Sequence, residues 1–177
     1  MNQKIILAAL TFFLFVLKST GQTTTDELAR KVFSCFQTND LSKLDTLIPT
    51  VGQLMEILKN RGFDVKEVSL RKNYEEIHQQ QMLKFKEKCR RFISDTTIYR
   101  VDWTSSLFDI SILKEKEINL TIDSAQNSKK VIMYSLEIIF TDKINKYLIG
   151  FKDIYNYDGV WKIGDNVKFR RFGDENF

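Results

Sequence analysis

Apolar and polar positions repeat along this chain with two different periods, and the change between them falls near Ser94. Ahead of that point the period is helical. Leu28, Val32, Cys35 and Phe36 recur behind Thr24-Thr25-Asp26-Glu27, a capping box in which the Thr24 hydroxyl accepts an early N–H and Glu27 reaches back. Asn39-Asp40 ends that run. Leu41, Leu44, Leu47 and Ile48 form a second short apolar face, closed by Pro49, the only proline. Thr50 and Gln53 cap a third helix carrying Val51, Leu54, Ile57 and Leu58. Gly62 is suited to the left-handed position after it, with Phe63 folding back on the last turn. The spacing predicts the longest helix over 73–92, with Tyr74, Ile77, Gln81, Phe85, Cys89 and Phe92 near one stripe. Such an amphipathic helix covers a sheet rather than crossing a membrane.

After Ser94 the period becomes two. Ile118, Leu120 and Ile122 alternate with polar neighbours, and Ile132, Tyr134, Leu136, Ile138 and Phe140 form an unbroken apolar face. Tyr147, Ile149, Phe151, Tyr155 and Tyr157 do the same for the next strand, and Trp161, Ile163, Val167 and Phe169 for the last. Thr141–Asn145 and Asp158-Gly159 are short polar connections of the antiparallel hairpin type. Helices followed by a meander with one apolar face predict an α+β domain, its N-terminal helices packed on a curved antiparallel sheet.

The segment before Thr24 changes the compartment. Lys4 precedes a nearly unbroken apolar run from Ile5 to Leu17, and Ser19-Thr20-Gly21 offers small residues at a cleavage site before Gln22. This is the pattern of a secretory signal peptide over 1–21, leaving a single domain over 22–177 and no membrane span after cleavage. The expected location is outside the cytoplasm, periplasmic or extracellular. Cleavage removes Lys4 and Lys18 and no acid, so 25 basic residues face 23 acidic ones. A surplus that small is not a nucleic-acid footprint. The run from Lys84 to Arg91 reads as the solvated side of a helix. Two cysteines are too few for a disulfide scaffold; Cys35 and Cys89 either pair or stay as separate buried thiols.

The order of elements resembles the NTF2-like (cystatin-like) superfamily, in which a curved sheet wraps a helix around a conical pocket. The resemblance rests on Tyr147-Leu148-Ile149 followed by Asp158-Gly159-Val160-Trp161-Lys162-Ile163. It extends to the run Phe36 to Leu41, to Leu47-Ile48-Pro49-Thr50, and to Val101-Asp102-Trp103, which is similar to exported bacterial proteins of that type. It implies a pocket on the concave sheet, with an acid or base deep inside it in those members that are enzymes. Isomerases, dehydratases and non-catalytic binding modules share the architecture, so it fixes no activity.

Candidate chemistry is sparse. His78 is the one histidine and reads as a surface or boundary residue rather than a catalyst. No His-x₃-His, Cys-x-x-Cys or carboxylate cluster has metal-ligand spacing, and no Gly-x-Ser-x-Gly or glycine-rich phosphate loop occurs. Neither metal nor cofactor is expected. Asn119-Leu120-Thr121 matches a glycosylation sequon, which a strand position makes a chance match. Asp153 and Asp165 fall among apolar strand positions. Either both point into a pocket, where desolvation raises their pKa values for acid–base work, or a β-bulge near Lys152 or Gly164 turns the aspartate outward and restores the pattern with Ile154. Asp102 has the same two readings, pocket acid or turn acid.

These readings lead to an exported, non-catalytic module that binds a small apolar ligand or a protein partner through the concave sheet. Tyr99, Trp103, Tyr147, Tyr155 and Trp161 are the aromatics expected to line or cap its cavity. The alternative is an acid–base isomerase or dehydratase built on Asp153 and Asp165.

Overall fold

The computed structural model describes residues 24–61, 68–95, 99–121 and 128–172. The expected leader over 1–21, the Gly62–Phe63 helix stop and Ile122 lie outside these residues. The described chain is α+β. Helix α1 (Thr25–Gln37), a 3₁₀ helix (Leu41–Thr46), α2 (Val51–Asn60) and α3 (Val68–Ser94) precede strands β1 (Leu107–Thr121), β2 (Ser128–Thr141), β3 (Lys146–Tyr157), β4 (Val160–Ile163) and β5 (Val167–Arg171). The sheet is antiparallel in the order β1-β2-β3-β4, with β5 continuing along the same side of β3 as β4.

Local sequence explains how the helices begin and end. Both capping boxes form: Thr24 Oγ1 accepts from the Glu27 N–H and Glu27 Oε2 from the Thr24 N–H, and Thr50 and Gln53 repeat the arrangement. Helix α1 stops in a Schellman turn. Asn39 adopts φ 53°, its N–H donates to Phe36 O, and the Asp40 N–H donates to Cys35 O. The β3–β4 hairpin turns through Asp158 (φ 49°) and Gly159 (φ 79°), the left-handed pair that a two-residue type I′ turn requires.

One core joins the two halves. Leu28, Val32, Phe33 and Phe36 of α1, Leu44, and Phe85, Cys89 and Phe92 of α3 bury against Leu136, Ile138, Phe140, Tyr147, Ile149 and Phe151 of the sheet. Tyr147, Phe140, Trp103 and Phe36 stack in sequence, with ring centroids 5.1, 5.2 and 6.0 Å apart, and Phe92 stacks on Phe169 at 3.9 Å. Cys35 and Cys89 are both free and buried in this core.

The structure revises four expectations. Helix α3 begins at Val68, five residues before the predicted start, and only its second half carries buried stripe residues. On β2 the apolar face breaks at its first member: Ile132 is 49% exposed while Val131 is buried. On β3 the inward place expected for Tyr155 belongs to Ile154. The pairs Leu136–Phe151 and Tyr134–Ile154 leave one residue of β2 against two of β3, so Lys152 and Asp153 form a bulge opposite Ser135. A second bulge, on β1 at Asp109, bends the other side of the sheet. Both edges are guarded. The Ile163 N–H donates to Leu47 O, which lays the 3₁₀ segment along β4, and the Lys114-Glu115-Lys116-Glu117 run charges the free edge of β1.

Candidate functional site

Tyr155, just past the β3 bulge, and α2 with Arg61 at its end line a cavity of about 520 Å³. Its apolar wall comes from Ile48 and Pro49, from Leu54, Ile57 and Leu58 of α2, and from Ile77 of α3; Met133 and Tyr155 form the sheet side. The side along α3 is open, since Tyr74, Ile77 and Gln81 are exposed there. A smaller cavity of about 180 Å³ shares Ile48, Pro49 and His78 with it and extends toward Asp45 and Met82. Helix α3 therefore splits its work. Phe85, Cys89 and Phe92 bury in the core, whereas Tyr74, Ile77 and His78 of the same stripe face a space no other described side chain fills.

Polar groups are placed across the sheet side in strand order. Arg61 follows α2 and donates from Nη1 to Met133 Sδ at 3.5 Å, on β2. Tyr155 comes next on β3, and Gly164-Asp165 lies beyond it in the link between β4 and β5. Neighbouring strands are ~4.8 Å apart, so the guanidinium and the carboxylate mark opposite ends of this surface. Neither Arg61 nor Asp165 has an ion-pair partner among the described residues. Their charges meet at Tyr155. Burial first, then the negative Asp153 and Asp165, push its hydroxyl up to about 12 against the opposing Arg61.

The bulge also sets Asp153. The Gly164 N–H donates to Asp153 O at 2.6 Å and the Lys152 N–H donates to Asn166 O at 3.0 Å, so the two strand breaks are bonded to each other. The Asp153 side chain is half-buried and accepts no hydrogen bond among the described residues. Burial and then the charge of Asp165 hold its carboxyl above the usual range, with Lys152 opposing. Of the two alternatives raised by the sequence, the bulge is present and Ile154 turns inward; Asp165 lines the cavity, whereas Asp153 is not among its lining residues.

No family model, curated protein or solved structure matches this chain. Its site must be read from its own geometry.

The remaining candidates lie elsewhere. Tyr99, Trp103 and Tyr147 belong to the aromatic core beside Phe92 and Phe140, away from the cavity. The Trp103 indole N–H is buried without a hydrogen-bond partner among the described residues. Trp161 packs edge-on against Tyr134 at 5.3 Å. Of the five aromatics, Tyr155 alone lines the cavity. Asp102 is a turn acid: hydrogen bonds from Thr104 and then Ser105 hold its carboxyl down at about 2, and Lys143 lies 3.7 Å away. Arg61 went unnoticed in the sequence, and His78, read there as a surface or boundary residue, stands half-buried on the cavity wall. For His78 the signal was its place beside Ile77 on a helical stripe whose first half has no core to meet. Among the described residues no helix is long and apolar enough to cross a membrane.

Proposed function

We propose that this chain is an exported, non-catalytic module of the NTF2-like kind and that it holds a small apolar ligand in the 520 Å³ cavity. The cavity carries the reading. Its volume lies within the range of small-molecule sites, and its wall is mostly aliphatic with a few convergent polar groups, the composition such sites share. The core face of the sheet, by contrast, is packed against the helices, and Leu136, Ile138, Phe140 and Tyr147 are fully buried there. Helices ahead of a bulged antiparallel meander support the NTF2-like reading, and the apolar run before Gln22 supports export. The test is mass spectrometry of an organic extract of the protein purified from its native host. An apolar small molecule should accompany the wild type and be absent from Leu54→Trp, which fills the cavity. Clean extracts from both would remove the reading.

A second reading is an acid–base enzyme, an isomerase or dehydratase. It is favoured by one observation, the half-buried Asp153 carboxyl without a hydrogen-bond partner beside Asp165 and a Tyr155 held protonated. A carboxyl that holds its proton more tightly than usual, next to a phenol on the cavity wall, has the chemistry to give and take a proton. Hydrogen–deuterium exchange into the extracted molecule, catalysed by wild type and lost in Asp153→Asn, would replace the binding reading with this one.

A further inference from the structure

We propose that the cavity loads an uncharged apolar ligand together with one proton, taken from solvent by the Asp153–Asp165 carboxylate pair as the ligand enters. The inference rests on the ligand-binding reading above and adds how the site is regulated. Asp165 lines the cavity, so a ligand that fills the space shuts solvent away from that carboxylate. Asp153 stands behind it, half-buried, joined through the Gly164 N–H to Asp153 O bond. Neither side chain has a hydrogen-bond or ion-pair partner among the described residues to replace the lost water. A carboxylate shut off from solvent beside a second, half-buried one is costly, and an uncharged ligand supplies no counter-charge. Protonating one carboxyl removes the cost.

The charged and titratable groups around the pair do not substitute for that proton. Lys152 is exposed on the same bulge, and Tyr155 is neutral. Arg61, at the end of α2, is engaged with Met133 two strands away from Asp165. His78 of α3 shares the cavity wall with Asp165, and Asp45 borders the adjoining smaller space. The imidazole is titratable, so it must be removed to isolate the carboxylates. By linkage, a site that takes up a proton with its ligand binds more tightly as pH falls, by about tenfold for each pKa unit that occupancy adds to the pair. The same coupling makes the ligand raise the proton affinity of the pair.

The experiment uses N-phenyl-1-naphthylamine, an uncharged fluorescent apolar probe, titrated into the full mature chain between about pH 7.5 and about pH 4.5. Wild type and His78→Gln should both bind several-fold tighter at the acid end. Asp153→Asn and Asp165→Asn should show a flattened profile, already tight at neutral pH. Calorimetry of the wild type in two buffers of different ionisation enthalpy reads the proton directly, and uptake is expected at neutral pH; this stands even if a variant fails to fold. Binding without proton uptake, or an unchanged slope in both Asn variants, overturns the coupling while leaving the cavity as a binding site. No probe binding at any pH overturns both.

Discussion

Gly164 lies against Asp153 so closely that a methyl group on it would come 2.7 Å from Asp153 O and 2.8 Å from its Cβ. Real side chains do not approach backbone at that distance, so only glycine lets the two strand breaks close on each other. Gly164→Ala should cost about 1–3 kcal/mol, the usual range for overpacking a tight site. Chemical denaturation checks the cost, and an unaffected midpoint would mean that the bulge opens without penalty.

Asp153 should work against stability at neutral pH. Its carboxyl is held above the ordinary value in the fold, so its favourable contribution is complete below the unfolded pKa and is lost as pH rises through the folded one. Asp153→Asn is expected to unfold at a higher temperature than wild type near neutral pH, with the advantage shrinking as pH falls toward ~4. An Asn variant no more stable than wild type at neutral pH would mean that the carboxylate is well solvated.

Asp142 should behave in the opposite sense. Its Oδ1 accepts from the Ile144 and Asn145 N–H groups, and its Oδ2 from the Asp102 N–H and the Tyr147 hydroxyl. Burial pushes this carboxyl up, but those donors together bring it below the ordinary value. Its contribution is therefore present above the unfolded pKa and is lost as pH falls through the folded one. Asp142→Ala unties the β2–β3 turn from the segment ahead of β1, and should cost about 1–3 kcal/mol at neutral pH. Equilibrium unfolding at neutral and acidic pH reads both the size and the sign.

The two thiols should be silent. Both are buried, and burial pushes Cys89 up to about 12. A thiol-specific reagent should label neither in the folded protein and both after denaturation. Reducing agent should leave the melting temperature unchanged. Rapid native-state labelling would show that the core around Phe92 opens.

What the sequence revealed follows from range. Thr24 with Glu27 and Thr50 with Gln53 act over three residues, so both caps could be read directly, as could the Asp158-Gly159 turn. The bulge was legible as a choice, because Asp153 breaks the alternation that Ile154 restores, but no local signal says that Gly164 closes on it from eleven residues away. The site was less legible still. Leu54, Ile57, Tyr74 and Ile77 have the helical spacing of core residues. Only the assembled fold shows that α2 and the first half of α3 leave a gap, and that Arg61, His78 and Asp165 meet around it. Conversely, Trp103 and Tyr147 carry the composition of a pocket, yet Phe36 and Phe140 occupy the space beside them.

The proposed leader can be checked by its product. Intact-mass analysis of protein from the native host should give a chain beginning near Gln22, and an uncleaved Met1 terminus would argue against export.

The gap between α2, α3 and the bulged sheet is the proposed site of an apolar ligand. Methyl-resolved NMR of the mature protein titrated with N-phenyl-1-naphthylamine tests it most directly. Shifts should concentrate at Ile48, Leu54, Ile57, Leu58, Ile77 and Met133 and vanish in Leu54→Trp. Shifts confined instead to exposed sheet residues such as Ile110 and Leu113, or a spectrum the probe does not change, would contradict it.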